Sequence, residues 1–219
     1  MIFIPIALLI FLLFILFLPA LLTLVYFHIV TLGFERLGIS SDTTIFLLFL
    51  ILIGSCINIP LTKKKLLYSS RPRFFGLFRV PQVEVQGVAI NLGGGLLPIL
   101  LSFYFLFFLL KQGIELTPVL ITIFLMIILT KFLARVIPGK GITLPFFIPP
   151  IFSAVFALVL APEFAAPTAF VGGVLGTLIG ADILNLRKAR KYGGYLSIGG
   201  AGVFDGIFLV GIVSTLLAG

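Results

Sequence analysis

Two carboxylates, Asp182 and Asp205, lie within the last two long apolar segments of the chain, on either side of the basic stretch 187–191. An ionisable side chain inside a membrane span is costly, so such a residue is by default a candidate for function. Two carboxylates close together cannot both ionise easily, and one then keeps a proton near neutral pH. An ionised aspartate that activates water, beside a protonated one that donates to a carbonyl oxygen, is the apparatus of aspartyl hydrolysis.

Small and polar residues surround Asp182 at helical spacing. Asn185 follows it by three residues and shares its face if the helix continues, which predicts one polar patch. Gly172, Gly176 and Gly180 are spaced four apart and form a stripe along one helix face. Glycines in such a stripe permit close approach of a neighbouring helix, so the stripe predicts a packing seam.

Small residues also accompany Asp205. If a helix begins near Ser197, Asp205 lies about 12 Å from its start, in the cytoplasmic half of the span. Ala201 and Gly202 precede it by one turn on the same face, and Gly206 follows it directly. These residues leave room for a water, a partner helix or an extended substrate backbone.

The predicted site follows from these neighbours. Asp182 and Asp205 are the predicted catalytic residues. The predicted supporting residues are Asn185, Gly202 and Gly206. Two further amides, Asn58 and Asn91, lie in earlier apolar segments and are predicted as possible polar or ion ligands.

The composition predicts an integral membrane protein. Hydrophobic residues make up 61% of the 219 positions, 10% are charged, and the mean hydropathy is +1.33. The predicted fold class is all-α, a polytopic transmembrane helix bundle that forms a single domain over 1–219, with the paired aspartates in 166–217. About seven stretches approach the length that crosses a bilayer: 2–18, 44–61, 85–110, 118–136, 144–160, 166–186 and 196–217.

The distribution of basic residues predicts the orientation. With these spans, every Lys and Arg except Arg36 and Lys111 falls on one side of the membrane. The positive-inside rule therefore places the N-terminus in the cytoplasm and the protein in the cell membrane as a multi-pass protein. After Pro19, residues 20–38 either extend the first helix or lie at the membrane interface.

The net charge of +8 needs no nucleic-acid partner, because topology and headgroup attraction account for it. The basic connection 62–82 combines Lys and Arg with aromatic residues, which predicts contact with anionic lipids of the bilayer. A single cysteine, Cys56, excludes an internal disulfide. One histidine, His28, without CxxC or HExxH motifs argues against a zinc site, and the sequence predicts no metal or cofactor.

Prolines and glycines cluster at the start of the fifth span. Pro138 and Pro145 are followed by the pair at 149–150, and Gly139 and Gly141 lie among them. Because proline removes a backbone donor and clashes with a continuing helix, this segment is predicted to be broken or partly re-entrant, and to form a wall of a cavity near the cytoplasmic face. A turn followed by a kinked helix is the alternative.

Four segments of the chain resemble an uncharacterised family of archaeal and bacterial multi-pass membrane proteins, known only as a domain of unknown function. These segments are Gly180 to Leu186, Ile198 to Leu209, Asn58-Ile59-Pro60 and Asn91-Leu92-Gly93-Gly94. The resemblance covers most of the chain from the second span onward. It implies a membrane protein and supplies no activity.

A second resemblance concerns topology. The placement of Asp182 and Asp205 is similar to that in the presenilin and signal-peptide-peptidase group of intramembrane aspartyl proteases. Those proteins carry one aspartate on a helix that descends to the cytoplasm and the second on the returning helix. The similarity implies a protease that acts on peptides within the membrane.

Two other classes of function fit the same residues. A proton- or cation-coupled transporter or channel would use the aspartates as an ion site, with Asn58, Asn91 and Asn185 as neutral oxygen ligands. A structural membrane subunit would use them only for hydrogen bonds between helices. The substrate is thus a peptide or an ion, and the oligomeric state stays open.

Overall fold

A computed structural model describes residues 6–63, 65–73, 78–137, 141–192, 195–200 and 206–219. Helices dominate, and each predicted apolar segment contains one, so the helical fold class is confirmed. In chain order the helices are α1 Ile6–Arg36, α2 Ser41–Ser55, a π-helix π1 Leu92–Leu96, α3 Leu97–Lys111, α4 Thr117–Leu133, α5 Ile148–Leu160, a 3₁₀ turn Pro162–Phe164, α6 Ala165–Thr177, a second π-helix π2 Leu178–Ile183, α7 Leu184–Arg190 and α8 Gly206–Ala218.

Three of the described helical stretches are long and apolar enough to cross a membrane. They are Phe14–Arg36, Leu92–Lys111 and Pro162–Arg190. Four shorter apolar helices accompany them: Asp42–Ser55, Thr117–Leu133, Ile148–Leu160 and Gly206–Ala218. The helix α1 continues through Pro19 for 31 residues, about 46 Å, so residues 20–36 extend the first helix.

The distribution of polar and apolar side chains is typical of a protein surrounded by lipid. Small hydroxyl side chains such as Thr122, Ser153 and Ser214 are fully buried between helices. Large apolar side chains face outward, as at Phe132, which is 84% exposed, and Val159, which is 73% exposed. Contiguous apolar surface of this extent needs a partner, and a bilayer supplies one.

The helix α6 lies at the centre of the bundle, where it packs against α3, α4, α5 and α8. Its predicted glycine stripe is confirmed as a seam with α4. A methyl group at Gly172 would overlap Thr122, and one at Gly176 would overlap Met126. At Gly180, which lies in π2, it would overlap the backbone carbonyl of Ile127, so π2 and α4 touch through their backbones.

Strands join the helices at one end, and the sequence analysis did not predict them. They are β1 Asn58–Pro60, β2 Lys65–Arg73, β3 Phe78–Asn91, β4 Arg135–Ile137, β5 Gly141–Thr143 and β6 Tyr195–Ile198. The strand β3 pairs antiparallel with β2 and β1, and parallel with β6 in the register Gly87↔Tyr195. The basic connection 62–82 therefore contains β2 and the start of β3.

Two predicted spans are wrong at their starts. Residues 85–91 belong to β3 and residues 196–198 to β6, where helices were predicted. Both segments are short apolar runs, and hydrophobicity alone does not separate a buried strand from a helix in such runs. Their pairing with each other fixes the strand conformation.

The described part of the proline- and glycine-rich segment is not helical before Ile148, so the predicted break is present, whereas partial re-entry into the membrane stays a prediction. The strands β4 and β5 form an antiparallel pair in the register Val136↔Ile142. The following helix α5 begins at Ile148, with Pro149 and Pro150 in its first turn. Backbone N–H groups of the first turn have no partner within the helix, so proline is tolerated there. Residues 138–140, which include Pro138 and Gly139, lie outside the described residues.

Candidate functional site

Asp182 lines a cavity of about 260 Å³ between π2, the first turns of α8 and the segment that links β5 to α5. The segment contributes its apolar side chains, and the wall opposite is apolar as well. The segment was predicted to form a cavity wall, and its residues 142–146 do so beside a predicted catalytic residue, whereas a position near the cytoplasmic face stays a prediction. The lining residues are Ile142, Thr143, Leu144, Pro145, Phe146, Thr177, Asp182, Gly206, Ile207, Leu209 and Val210.

The π-helix π2 determines which side chains accompany Asp182. In an α-helix, residues five apart point about 140° away from each other. A π turn closes its hydrogen bonds between residues i and i+5, so that such residues stack on one face. Thr177 and Asp182 are five apart across π2, and both line the cavity.

Asn185 lies at the interface with α4, and it is not among the described residues that line the cavity. Its side-chain amide donates to the carbonyl oxygens of Ala181 at 2.9 Å and Gly180 at 3.3 Å. The Lys131 ammonium group donates to Asn185 Oδ1 and to the Leu184 carbonyl, both at 2.8 Å. The same-face prediction assumed α-helical spacing, and the π turn changes the phase between residues 182 and 185.

These contacts give Asn185 a structural role at the site. Its amide group donates hydrogen bonds to carbonyl groups of the π turn. Lys131 donates to Asn185 and to Leu184 at the start of α7. Together they stabilise the π turn that carries Asp182. The described contacts of Asn185 are thus with the backbone of π2 and with α4, and its predicted supporting role toward Asp182 stays a prediction.

Replacement of this amide is expected to destabilise the protein. Asn185→Leu leaves the Lys131 ammonium group without one acceptor and the two carbonyl groups without their donor, which costs about 1–3 kcal/mol. Thermal unfolding in detergent would show a lowered midpoint. The control is Gln112→Leu at the exposed end of α3, which we expect to change stability by less than about 0.5 kcal/mol. Equal midpoints for the two variants would contradict the role of Asn185.

Asn58 and Asn91 form a second polar cluster, where β1, β3 and β6 meet. Asn91 is fully buried, donates to the Ser55 carbonyl at 2.7 Å and accepts from the Gly94 N–H at 2.9 Å. Asn58 Oδ1 accepts from the Ser197 hydroxyl at 2.6 Å and from Asn91 at 3.3 Å. Neither amide is among the described residues that line the cavity.

This second cluster holds the segment that leads toward Asp205. After β6, Gly199 turns the chain with a φ of 68°, a conformation that favours glycine. A methyl group at Gly199 would overlap the backbone of Gly94 and Gly95 in π1. Asn91 accepts from Gly94, so the amide and the glycine turn are parts of one contact between π1 and the end of β6.

Asn91→Ala is expected to destabilise the protein by about 2–4 kcal/mol, because it leaves a buried carbonyl and a buried N–H without partners. Asn58→Ala serves as the matched control, since Asn58 is exposed and water can replace its partners. Thermal unfolding of both variants in detergent checks this prediction. A larger loss for Asn58→Ala than for Asn91→Ala would contradict it.

Asp205 and Gly202 lie outside the described residues, and the predicted meeting of the two aspartates stays a prediction. Gly206, the residue directly after Asp205, is described and lines the cavity with Asp182. A methyl group at Gly206 would meet nothing within 4 Å in the described part of the chain. The predicted room beside Asp205 stays a prediction, because Ala201 and Gly202 lie outside the described residues as well.

Sequence reasoning missed Thr177 and Lys131 as parts of the site. Thr177 is 1% exposed, and its hydroxyl oxygen has no hydrogen-bond partner among the described residues. Residues five apart do not share a face of an α-helix, so this spacing does not indicate a common site unless a π turn is known. Lys131 served only to predict the orientation, although a basic residue at the end of an apolar helix can reach carbonyl groups of its neighbour.

A family model described as "Protein of unknown function (DUF1614)" matches residues 52–217. This range includes both aspartates, the cavity and the sheet, and it confirms the predicted resemblance to an uncharacterised family. No curated protein matches the chain. No solved structure matches it either.

Proposed function

The chain belongs to the DUF1614 family, whose function is unknown, and we propose that it is an intramembrane aspartyl hydrolase. Asp182 and Asp205 form the proposed site. One observation carries the proposal. Asp182 and Gly206, the covalent neighbour of Asp205, line the same cavity. Adjacent Cα atoms are about 3.8 Å apart, and this covalent link to a lining residue is what supports the assignment of Asp205 to the proposed site.

The proposal includes a multi-pass topology with about seven crossings and the N-terminus in the cytoplasm. Its support comes from contacts between basic segments. Lys131 contacts α7, and the Gln86 amide donates to the Arg190 carbonyl at 2.7 Å, so the ends of α4 and α7 and the hairpin β2–β3 share one end of the bundle. Arg36 instead donates to the Gly219 carbonyl, which pairs the far ends of α1 and α8.

At the basic end, the hairpin β2–β3 is the proposed contact with anionic lipid headgroups. Its sequence carries Lys65, Arg71, Arg73 and Arg79. Each basic residue near an anionic surface contributes about 1 kcal/mol of attraction. The cavity with Asp182 belongs to the same end, because α7 follows π2 directly.

The proposed reaction is hydrolysis of a peptide bond. The ionised aspartate takes a proton from a water molecule, whose oxygen attacks the carbonyl carbon, while the protonated aspartate donates to the carbonyl oxygen. The aspartate that took the proton then donates it to the amide nitrogen, the carbon–nitrogen bond breaks and the amine leaves, while the other aspartate takes back a proton from a hydroxyl of the tetrahedral intermediate. The cavity also supplies an apolar wall, which limits solvation of the charged groups by other water molecules. Electrostatic interactions between those groups are stronger where water is excluded.

A peptide is the proposed substrate because extended backbone lies beside Asp182. Ile142 and Thr143 of β5 line the cavity, and β5 pairs with β4 alone among the described strands. The second edge of such a strand presents backbone N–H and C=O groups to an extended partner. A peptide unwound into this conformation would present its carbonyl groups to the cavity.

The described amides support hydrolysis over ion transport. The transport reading needs neutral oxygens around Asp182, and Asn58, Asn91 and Asn185 were its candidates. Each of these side-chain oxygens accepts a hydrogen bond elsewhere, from Ser197, Gly94 and Lys131 respectively. In the described part of the chain, no group of three or more His, Cys, Asp or Glu residues has a metal-binding arrangement.

Hydrolysis in ¹⁸O-labelled water tests the proposal. The purified protein is placed in liposomes with a mixture of synthetic transmembrane peptides, and the products are identified by mass spectrometry. We expect new carboxyl termini that carry one ¹⁸O atom, since the attacking oxygen comes from water. Intact peptides after prolonged incubation, together with a flux of Na⁺ or protons through the same liposomes, would favour transport.

A further inference from the structure

Five exposed basic side chains lie at the end of the bundle that holds the cavity. Four of them follow Asp182 on the segment formed by π2 and α7, about 7–14 Å further along its axis at 1.5 Å per residue. The fifth belongs to β4, which pairs with the cavity-lining strand β5. These five side chains form the basic rim: Arg135, Arg187, Lys188, Arg190 and Lys191.

The register of the β4–β5 pair places Arg135 beside the cavity. Arg135 is the cross-strand partner of Thr143, a lining residue of the cavity. Directly opposed residues of an antiparallel pair share a face, and their Cβ atoms are about 4.5–5.5 Å apart. The Thr143 hydroxyl also donates to the Arg135 carbonyl at 3.2 Å. Because α7 packs against both strands, the two parts of the basic rim lie on either side of β5 and its cavity.

Few carboxylates of the chain lie near the basic rim. Asp182 and Asp205 belong to the proposed site, and Glu84 belongs to the hairpin β2–β3. The other four belong to the connections at the opposite end of the helices: Glu35, Asp42, Glu115 and Glu163. The 17 residues of α4 alone place Glu115 about 25 Å from Arg135. Since this separation exceeds the Debye length of about 8 Å, those carboxylates do not neutralise the rim.

We propose that the basic rim binds an acidic segment of the substrate, directly next to the part of the peptide that enters the cavity. The preference in cleavage rests on the proposed hydrolysis, whereas the binding of an acidic segment does not. An extended chain advances about 3.3 Å per residue, so a peptide that leaves the cavity toward this end reaches the rim within about two to four residues. The guanidinium groups of Arg135 and Arg187 can each bind a carboxylate through two parallel N–H groups.

Repulsion by the rim would narrow the choice of substrate further. Membrane proteins carry an excess of Lys and Arg on the cytoplasmic side, and in the proposed topology the rim lies on that side. Like charges that meet there disfavour a basic flank, just as opposite charges favour an acidic one. The substrate class is therefore a transmembrane peptide with an acidic cytoplasmic flank, which ordinary membrane spans lack.

Binding is measured with the whole protein in a neutral detergent, where no cleavage is needed. Two fluorescent transmembrane peptides share one apolar sequence, and they differ only in a short flank of Asp and Glu or of Asn and Gln. Fluorescence anisotropy gives Kd for each peptide. We expect the acidic peptide to bind at least about tenfold more tightly at low salt, since several exposed ion pairs add up. The ratio should approach one in about 0.5 M salt. Equal Kd values at low salt would overturn the proposal.

Charge variants locate the effect. Arg135→Gln should lower the Kd ratio at least about twofold, and its combination with Arg187→Gln and Lys188→Gln should bring the ratio close to one. All three positions are exposed, so folding is expected to survive. Lys111→Gln, at the exposed opposite end of α3, removes the same charge and should leave the ratio unchanged. Equal losses in Lys111→Gln and Arg135→Gln would overturn the proposal, because net charge would then explain the preference.

Cleavage of the two peptides in the ¹⁸O assay separates this proposal from the proposed function. We expect kcat/KM to be at least about tenfold higher for the acidic peptide, in line with its tighter binding. Equal cleavage and equal Kd would overturn the acidic preference and leave the hydrolase. Tight binding that the rim variants lose, without cleavage of either peptide, would uphold the rim and contradict hydrolysis. If the rim variants lose only retention on phosphatidylserine vesicles, lipid headgroups occupy the rim and the proposal fails.

Discussion

Asp182→Asn is expected to lower the rate of peptide hydrolysis by at least about 100-fold, because the amide can neither take nor hold the proton that the reaction moves. Asp205→Asn should have an effect of the same size. The change preserves the volume and shape of each side chain, so folding is expected to survive. The ¹⁸O assay with transmembrane peptides measures both variants against the wild-type rate.

The combination of the two changes provides a sharper test of shared chemistry. If the aspartates act as one unit, the double variant loses no more activity than either single variant, since the first change already disables the unit. Independent residues would instead give multiplied losses. Asp42→Asn, an exposed position in the first turn of α2, is the control and should keep full activity. Full activity in Asp182→Asn would contradict the catalytic assignment.

Gly180→Ala is expected to destabilise the protein strongly, although it adds only one methyl group. That methyl would overlap the backbone carbonyl of Ile127 and the hydroxyl of Thr130. A backbone carbonyl cannot rotate away as a side chain can, so α4 and π2 must separate. Overpacking of this kind costs about 1–3 kcal/mol, and we expect a value at the upper end.

The same change should also disturb the site, because Gly180 belongs to π2 and accepts a hydrogen bond from Asn185. Gly206→Ala is the matched control for stability, since an added methyl there meets nothing within 4 Å in the described part of the chain. Thermal unfolding of both variants in detergent makes the comparison. A stability of Gly180→Ala equal to or above that of Gly206→Ala would contradict the close packing of α4 and π2.

The helices were predictable from the sequence because lipid requires long apolar runs, and the glycine stripe of α6 was predictable from its four-residue spacing. The cavity wall at 142–146 was predictable because proline and glycine interrupt an apolar segment. Those features depend on local composition. They needed no knowledge of which helices touch.

The strands and the π turn were not predictable in the same way. The parallel pairing of β3 with β6 joins Gly87 to Tyr195, which are far apart in the sequence, and each strand alone resembles the start of an apolar helix. The π turn at 178–183 is flanked by contacts with α4, since Thr130 donates to the Gly176 carbonyl before it and Lys131 to the Leu184 carbonyl after it. Asn185 then lies at the α4 interface, while Thr177 and Asp182 line one cavity.

The amides Asn58 and Asn91 show a similar limit. Their side chains are typical ion ligands, and an apolar setting made them candidates. The structure instead gives them partners from Ser55, Gly94 and Ser197, so they hold strands and π1 together. The residue type predicts that the two side-chain amides form hydrogen bonds. Only the tertiary contacts identify their partners.

The central claim is that Asp182 and Asp205 meet across the cavity, and a disulfide measures this most directly. In the Cys56→Ser background, Asp182→Cys combined with Asp205→Cys should form a disulfide under mild oxidation, since a bridge requires Cα atoms within about 7 Å. Asp182→Cys with Asp42→Cys, which lies at the other end of α2 from Ser55, is the control pair and should stay reduced. A bridge in the first pair alone is the result that we predict. Two free thiols in the first pair, in protein that folds normally, would contradict the paired site.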